Sequence, residues 1–213
     1  MASMFDGCSK LTSLDLSDFD TSKVTNMNFM FHSCSALTSL DVSGFDTSSV
    51  TNMDSMFKGC SKLTSLDVSG WVTSKVNNMN SVFSGCSGLT SLDVSNFNTS
   101  KVAYMGGVFS GCSKLTSLDV SKWITANVNR MGNMFQNCSS LTSLDLRRFD
   151  TSLVTDASNM FSGCMRLETL SWTNWKPSVS VSETALTPES TKDIVSELAT
   201  VTESQTLTLG YTL

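Results

Sequence analysis

The sequence predicts an α/β solenoid in which seven 26-residue repeats wind as a right-handed coil. A parallel β-sheet is expected on one face of this coil and short helices on the opposite face. Three features support this prediction: cysteine, the phenylalanine three residues before it and a pair of leucines after it all recur at the same period. The cysteines are Cys8, Cys34, Cys60, Cys86, Cys112, Cys138 and Cys164. Internal similarity at a period of about 20–50 residues is typical of proteins built from stacked repeats.

The second repeat shows how one unit is expected to fold. Leu40 and Val42 alternate with Asp41, which predicts a short strand with the two apolar side chains inward and the acid outward. Apolar residues then recur at helical spacing and predict two helical turns over 52–58, ended by Gly59. A strand, a crossover and a second parallel strand are expected to form a right-handed unit.

The chain is expected to contain one elongated repeat domain, residues 1–176, followed by a C-terminal capping segment, residues 177–213. The capping segment should contain one helix and one strand. Thr187-Pro188-Glu189 is a typical helix start, with a capping hydroxyl, a proline at the first helical position and an acid in the first turn. Alternation over 206–209 predicts the strand.

The repeat unit resembles a known family. Its pattern is Met-Phe-x-Gly-Cys-Ser-x-Leu-Thr-Ser-Leu-Asp-Val-Ser-x-Phe-Asp-Thr-Ser-x-Val-Thr-Asn-Met, and it extends from residue 4 to about residue 175. This pattern is similar to the 26-residue repeat of bacterial surface proteins, the BspA-like branch of the leucine-rich repeats. It differs from the general leucine-rich repeat in placing an aromatic residue, such as Phe45 or Trp71, where that class usually has asparagine. The resemblance implies a secreted or cell-surface bacterial protein that mediates adhesion.

Composition argues against several classes of function. The net charge of −5 does not fit a nucleic-acid-binding surface. An apolar run of about 18 residues, as a membrane-spanning helix needs, is not present, so membrane insertion is not expected and any export signal or anchor would lie outside this sequence. The cysteines are predicted to be buried free thiols, because they lack Cys-x-x-Cys spacing and a nearby histidine for a metal site. His32 is the one histidine, and with no base beside a candidate nucleophile the chain is predicted to be non-enzymatic, without catalytic residues or a required cofactor.

A column of carboxylates is the most distinctive predicted surface feature, and we call it the Asp strip. It consists of Asp15, Asp41, Asp67, Asp93, Asp119 and Asp145, one outward-facing residue from each of the first six predicted strands. One interpretation is a ligand-facing strip or a set of weak Ca²⁺ sites, since carboxylate oxygens suit hard cations. The alternative is that flanking serines and nearby lysines satisfy each carboxylate.

A second candidate site is basic and lies toward the C-terminal repeats. It consists of Lys122, Arg130, Arg147, Arg148 and Arg166. These residues suit an anionic glycan or the acidic end of a neighbouring molecule, and the alternative is ordinary solvated surface.

These features lead to one function hypothesis and two alternatives. The leading hypothesis is an extracellular or cell-surface binding and adhesion module that recognises a host or microbial protein or glycan through its concave sheet face and variable edge. The first alternative is a structural protein that assembles end to end through its open first strand, predicted at 13–17, unless the chain is a fragment of a longer protein. That alternative draws on charge, because residues 1–60 hold seven acidic and three basic side chains whereas residues 120–176 hold four and six. The second alternative is a phage attachment component.

Overall fold

The computed structural model describes residues 1–198 and 205–210. Its regular elements, in chain order, are strands β1 (Ser143–Leu146), β2 (Thr169–Trp172) and β3 (Val179–Ser180), helix α1 (Pro188–Ser196) and strand β4 (Leu207–Thr208). β1 pairs in parallel with β2, and β3 pairs in parallel with β4. Turns and extended segments make up the rest of the described chain, so contacts between successive repeats organise the fold.

Successive repeats are joined by a ladder of backbone hydrogen bonds on the side that carries the Asn-Met segment. In the second repeat, the N–H groups of Met53, Ser55, Phe57 and Gly59 donate to the carbonyls of Asn78, Asn80, Val82 and Ser84, at 3.0, 2.8, 2.9 and 2.7 Å. Parallel bridges mark the same register through the structure, linking Asn26, Asn52, Asn78, Tyr104, Arg130 and Asp156 in turn. Each repeat therefore supplies acceptors for the donors of the repeat before it.

The helix predicted over 52–58 is not formed, because successive N–H groups of this segment alternate between two kinds of acceptor. The N–H groups of Met56, Lys58 and Cys60 donate to carbonyls three residues back, at 3.1, 3.2 and 3.1 Å, while the intervening N–H groups donate to the next repeat. Ser55 also has a φ of 56°, in the left-handed region that a right-handed helix excludes. The prediction of short helices on this face was therefore wrong, and α1 is the one helix among residues 1–198 and 205–210.

The leucine side of the repeats carries a smaller sheet than predicted. β1 and β2 form its two strands, with Leu144 beside Leu170. In earlier repeats the equivalent segments are extended without strand pairing, and the bond from Thr64 N–H to the Thr38 carbonyl is long, at 3.4 Å. The open strand predicted at 13–17 is likewise not assigned as a strand. The strongest backbone contacts between repeats thus lie on the side of the hydrogen-bond ladder. The right-handed solenoid as a whole stays a prediction.

The core consists of columns of equivalent side chains. Phe31 stacks on Phe57 with ring centroids 5.5 Å apart, and Phe57 stacks on Phe83 at 5.9 Å. The thiol of Cys60 donates to the Phe31 carbonyl at 3.1 Å, which ties each cysteine to the preceding repeat. Burial raises the pKa of the Cys60 thiol to about 12, so the thiol stays protonated.

Six of the seven cysteines match the prediction of buried free thiols, and the exception is in the first repeat. Cys34 to Cys164 are buried, whereas Cys8 is exposed. The aromatic ring of Phe5 and the leucines Leu11 and Leu14 are also less buried than their counterparts in later repeats. Residue type therefore marks an interior position, and packing against the neighbouring repeats is needed to bury it fully.

A column of buried threonines forms a second connection between repeats. The Thr99 hydroxyl donates to the Ile124 carbonyl at 2.8 Å and accepts from the Ile124 N–H at 2.7 Å. The equivalent buried residues are Thr21, Thr47, Thr73, Thr125 and Thr151. The hydroxyl thus bonds to the backbone of the following repeat rather than to its own turn.

The capping segment covers the exposed edge of β2. Thr187 caps α1, its hydroxyl accepting from the Ser190 N–H at 3.1 Å. The Ser190 hydroxyl donates to the Leu170 carbonyl at 3.0 Å and accepts from the Leu170 N–H at 2.9 Å. The Trp172 indole N–H donates to the Ile194 carbonyl at 2.9 Å. The helix therefore replaces the next repeat as the hydrogen-bonding partner of β2, while residues 199–204 and 211–213 of this segment lie outside the described residues.

Replacing Thr99 with valine tests the threonine column. Thr99→Val keeps the side-chain shape but removes both bonds to Ile124, and a polar group left without a partner costs about 1–3 kcal/mol. We expect the free energy of unfolding, measured by urea denaturation, to fall by that amount. Thr90→Val, at an exposed threonine, is the matched control and should leave stability nearly unchanged. Equal stability of the two variants would contradict the role assigned to this column.

Candidate functional site

The Asp strip lies on the surface, and its carboxylates close backbone turns. Asp67 accepts from the Ser69 N–H at 3.0 Å and from the Ser69 hydroxyl at 2.7 Å. The same backbone bond from the residue two positions later is made by Asp15, Asp41, Asp93, Asp119 and Asp145. Serines two residues later therefore donate to five of these carboxylates, and Arg147 donates to Asp145. The Asp-x-Ser spacing in the sequence is the signal for this arrangement.

These hydrogen bonds keep the strip ionised. Hydrogen bonds from Ser69 hold the pKa of Asp67 below its ordinary value of 3.8, although the like charges of Asp41 and Asp93 act to raise it. The bond from Arg147 does the same for the pKa of Asp145. The strip is thus a row of negative charges, one on each repeat, whose mutual repulsion is offset by local donors.

Two further columns of turn-closing side chains were not identified from the sequence. Asp46 accepts from the Ser48 N–H at 2.9 Å, and Asn98 accepts from the Ser100 N–H at 3.1 Å at the equivalent position. On the ladder side, Asn52 accepts from the Asp54 N–H at 2.9 Å. Asp or Asn followed two residues later by a donor thus marks three corners of a repeat.

The structure does not bring the five residues of the predicted basic patch together. Arg147 is paired with Asp145 on the Asp strip, its Nη2 donating at 2.6 Å. Arg130 is on the ladder side, bridged to Tyr104 and Asp156. Lys122, Arg148 and Arg166 are exposed. Arg130 therefore lies on a different side of the repeats from Arg147, and anion binding by these residues stays a prediction.

A polar groove crosses the ladder side and was not predicted. It has a volume of about 510 Å³, and we call it the ladder groove. Residues from several successive repeats line it, among them Asn80, Ser84, Gly106, Arg130, Gly132 and Gln136. Gly106 and Gly132 stand where the other repeats have Asn28, Asp54, Asn80 and Ser158. Two neighbouring repeats thus lack the side chain that would otherwise occupy this surface.

His32 takes part in a short chain of polar contacts at the first two repeats. Its Nδ1 is 2.6 Å from an Asp6 carboxylate oxygen, and its Nε2 is 3.3 Å from the Ser33 hydroxyl. An acid, a histidine and a serine in this order can activate a nucleophile, but proton transfer requires about 2.6–3.2 Å. Asp6 and His32 therefore form a polar contact on the surface of the first repeats.

Two further searches concern metals and membranes. Within the described residues, three or more His, Cys, Asp or Glu side chains do not come together as a group that could hold a metal ion, so weak Ca²⁺ binding by the Asp strip stays a prediction. Among residues 1–198 and 205–210, helices of the length and hydrophobicity needed to cross a membrane were not found.

The Asp strip predicts a loss of stability in acid. Because the folded state lowers the pKa of Asp41, Asp67 and Asp93, their contribution is complete above the ordinary value of 3.8 and is lost as pH falls through the lowered values. We expect the melting temperature to fall between pH 6 and pH 2. The triple variant Asp41→Asn, Asp67→Asn and Asp93→Asn should show a smaller fall, since Asn98 closes the equivalent type of turn without titrating. Identical pH profiles would show that these carboxylates do not control acid stability.

The comparisons with known proteins identify a family by its sequence model. The model described as "Mycoplasma protein of unknown function, DUF285" matches residues 1–91 and again residues 83–193. Searches of curated proteins and of solved structures returned no match. Because the two family matches together extend over residues 1–193 of a 213-residue sequence, the chain belongs to the DUF285 family.

Proposed function

We propose that the chain is a non-enzymatic binding and adhesion module, secreted or held at the cell surface, of the BspA-like leucine-rich-repeat kind. Its partner is a host or microbial surface protein or glycan. The observation that carries the proposal is the contrast between constant buried positions and variable exposed ones in the same backbone register. The edge position beside the Asp strip shows it, because Asp18, Asn96, Lys122 and Arg148 occupy it in different repeats and all four are exposed. Repeat proteins use surfaces of this kind for recognition.

The proposed architecture is a right-handed leucine-rich-repeat solenoid over residues 1–176 with a cap over residues 177–213. The bonds from each repeat to the next support a continuous stack. The contacts of Ser190 with Leu170 support the capping role of α1.

We propose that the face bearing the Asp strip, with the variable edge beside it, contacts the partner. The edge position holds Asp18, Gly44, Gly70, Asn96, Lys122 and Arg148 in successive repeats. Side chains change there while the turn beside them is kept by the Asp-x-Ser bonds. Specificity can therefore vary without a change in the scaffold.

Binding to immobilised glycans, matrix proteins and bacterial cells tests the proposed function. We expect selective binding to one of these surfaces, weakened at least fivefold by Lys122→Glu on the variable edge. Lys58→Glu is the matched control, because it reverses the charge of another exposed lysine, on the ladder side. It should have little effect on a partner held at the variable edge. Absence of selective binding to any of the three surfaces would overturn the proposal.

A second candidate function is end-to-end assembly, and the first repeat favours it. Cys8 is exposed and Phe5, Leu11 and Leu14 are only partly buried, so this repeat presents an apolar end face. Either an earlier part of a longer chain or a second copy can cover such a face. The predicted contact through a strand at 13–17 is not supported, because the described chain has no strand there.

Multi-angle light scattering over a hundredfold concentration range separates these cases. Assembly predicts a mass that grows with concentration, and Leu11→Lys should suppress this growth by placing a charge on the end face. Val195→Lys, at an exposed apolar residue of α1, is the control and should leave the growth unchanged. A constant monomer mass throughout would exclude end-to-end assembly of this chain.

A further inference from the structure

We propose that the ladder groove is a binding site for a hydroxyl-rich ligand, an oligosaccharide. This inference rests on the proposed binding function, and it assigns a ligand class to a face other than the one that carries the Asp strip. It is argued from the space in the groove, from the chemistry of its lining and from its length.

The space in the groove is not a by-product of backbone requirements. Gly106 has an ordinary φ, and Gly107 has a φ of 63° at a position where Ser81 and Asn133 adopt 54° and 59°. Serine or asparagine thus forms the same left-handed turn in neighbouring repeats, so glycine is not needed there for the turn. What Gly106 and Gly107 provide is room on the surface between the flanking repeats.

The side chains on either side of the gap already approach it closely. A Cβ added to Gly106 would lie 3.3 Å from the Asn80 Oδ1, and one added to Gly132 would lie 2.9 Å from the Asp156 Oδ2. An amide and a carboxylate therefore border the floor of the groove, where a ligand would reach their polar atoms.

The lining suits hydroxyl groups better than other ligand chemistry. Arg130, Asn133 and Gln136 bring N–H donors, Asp54 and Asp156 bring acceptors, and the serine hydroxyls serve as both. None of the described lining residues has an apolar side chain, so a peptide would bury little apolar surface there. The two carboxylates oppose a strongly anionic ligand such as a phosphate. A sugar hydroxyl, which donates and accepts, matches this mixture of groups.

The length of the groove and its rim agree with a chain of several sugar rings. The lining runs from the repeat of Asp54 to that of Asp156, four repeat spacings, or about 19 Å at the usual distance between paired strands. Tyr104 is 41% exposed and is bridged to Arg130, which lines the groove. An exposed tyrosine presents an apolar ring face with a polar tip, the kind of surface on which a sugar ring stacks.

One substitution fills the groove with a side chain that the fold already accepts elsewhere. Gly106→Asn introduces the residue that Asn80 and Asn28 are at the equivalent position, so the repeat should keep its fold. Gly7→Asn is the matched control, because it makes the same chemical change outside the ladder groove and the variable edge and reproduces Asn137 at the equivalent position. Gln136→Ser is a second groove variant that copies Ser84, Ser110 and Ser162.

The experiment measures binding of the full chain to a printed array of neutral and acidic oligosaccharides, then the Kd of the tightest hit by calorimetry. We expect wild type and Gly7→Asn to bind the same oligosaccharide with equal Kd. Gly106→Asn should raise the Kd at least tenfold, and Gln136→Ser at least threefold, with unchanged melting temperatures. If Gly106→Asn does not fold, Gln136→Ser decides the result.

Three outcomes overturn the inference, and they are distinguishable from failure of the proposed function. Oligosaccharide binding that survives both groove variants, or that is lost in Gly7→Asn instead, places the sugar site elsewhere and leaves the binding function standing. Selective binding to a protein surface with no oligosaccharide bound also removes the groove site alone. Binding to neither sugars, proteins nor cells removes both proposals.

Discussion

The hydrogen-bond ladder between successive repeats is the constraint on which the rest of the structure depends. Alternate amides of one segment donate to the following repeat, as Ser55 does to the Asn80 carbonyl, and the amides between them donate back within the turn. Buried backbone groups need partners, so every repeat must offer the same acceptors at the same places. A period of 26 residues without insertions follows from this requirement. One extra residue would shift the alternation, so that the N–H groups that now donate to the next repeat would face their own turn.

Stacking similar repeats places equivalent side chains next to one another, which favours columns of apolar residues and makes columns of charged residues repel. The phenylalanine column gains aromatic contact at each step, and the rings of Phe83 and Phe109 lie 5.9 Å apart. The same regularity places Asp67 between Asp41 and Asp93, whose charges raise its pKa. Local donors from Ser69 outweigh that repulsion. Ser69 therefore stabilises the stacking of charged repeats as well as the local turn.

Because backbone atoms connect the repeats, the exposed side chains are free to vary. The ladder uses backbone atoms, so the bridged column accepts residues as different as Asn78, Tyr104 and Arg130 without loss of register. The ladder groove arises from the same freedom, since Gly106 and Gly132 remove side chains from two neighbouring repeats while their backbone bonds persist. Surfaces on this scaffold can thus differ in shape and charge at little cost to stability.

The sequence alone determined which positions are buried and where α1 begins. The period and the alternation of apolar residues mark Leu40, Val42 and Cys60 as interior, and all three are buried. Thr187 and Pro188 specify the start of the helix because capping is a local interaction. These features depend on residue type and on neighbours close in sequence.

The tertiary structure decided how the backbone and the polar side chains are used between repeats. The segment 52–58 has helical spacing, but donors that face another repeat replace helical bonds, and no local pattern reports that choice. Thr99 bonds to Ile124 for the same reason, 25 residues away. Arg130 and Arg147 are close in sequence and lie on different sides, whereas the groove gathers residues from several repeats. Contacts at a separation of about one period depend on the stacking of the repeats, and only the folded structure specifies which atoms meet there.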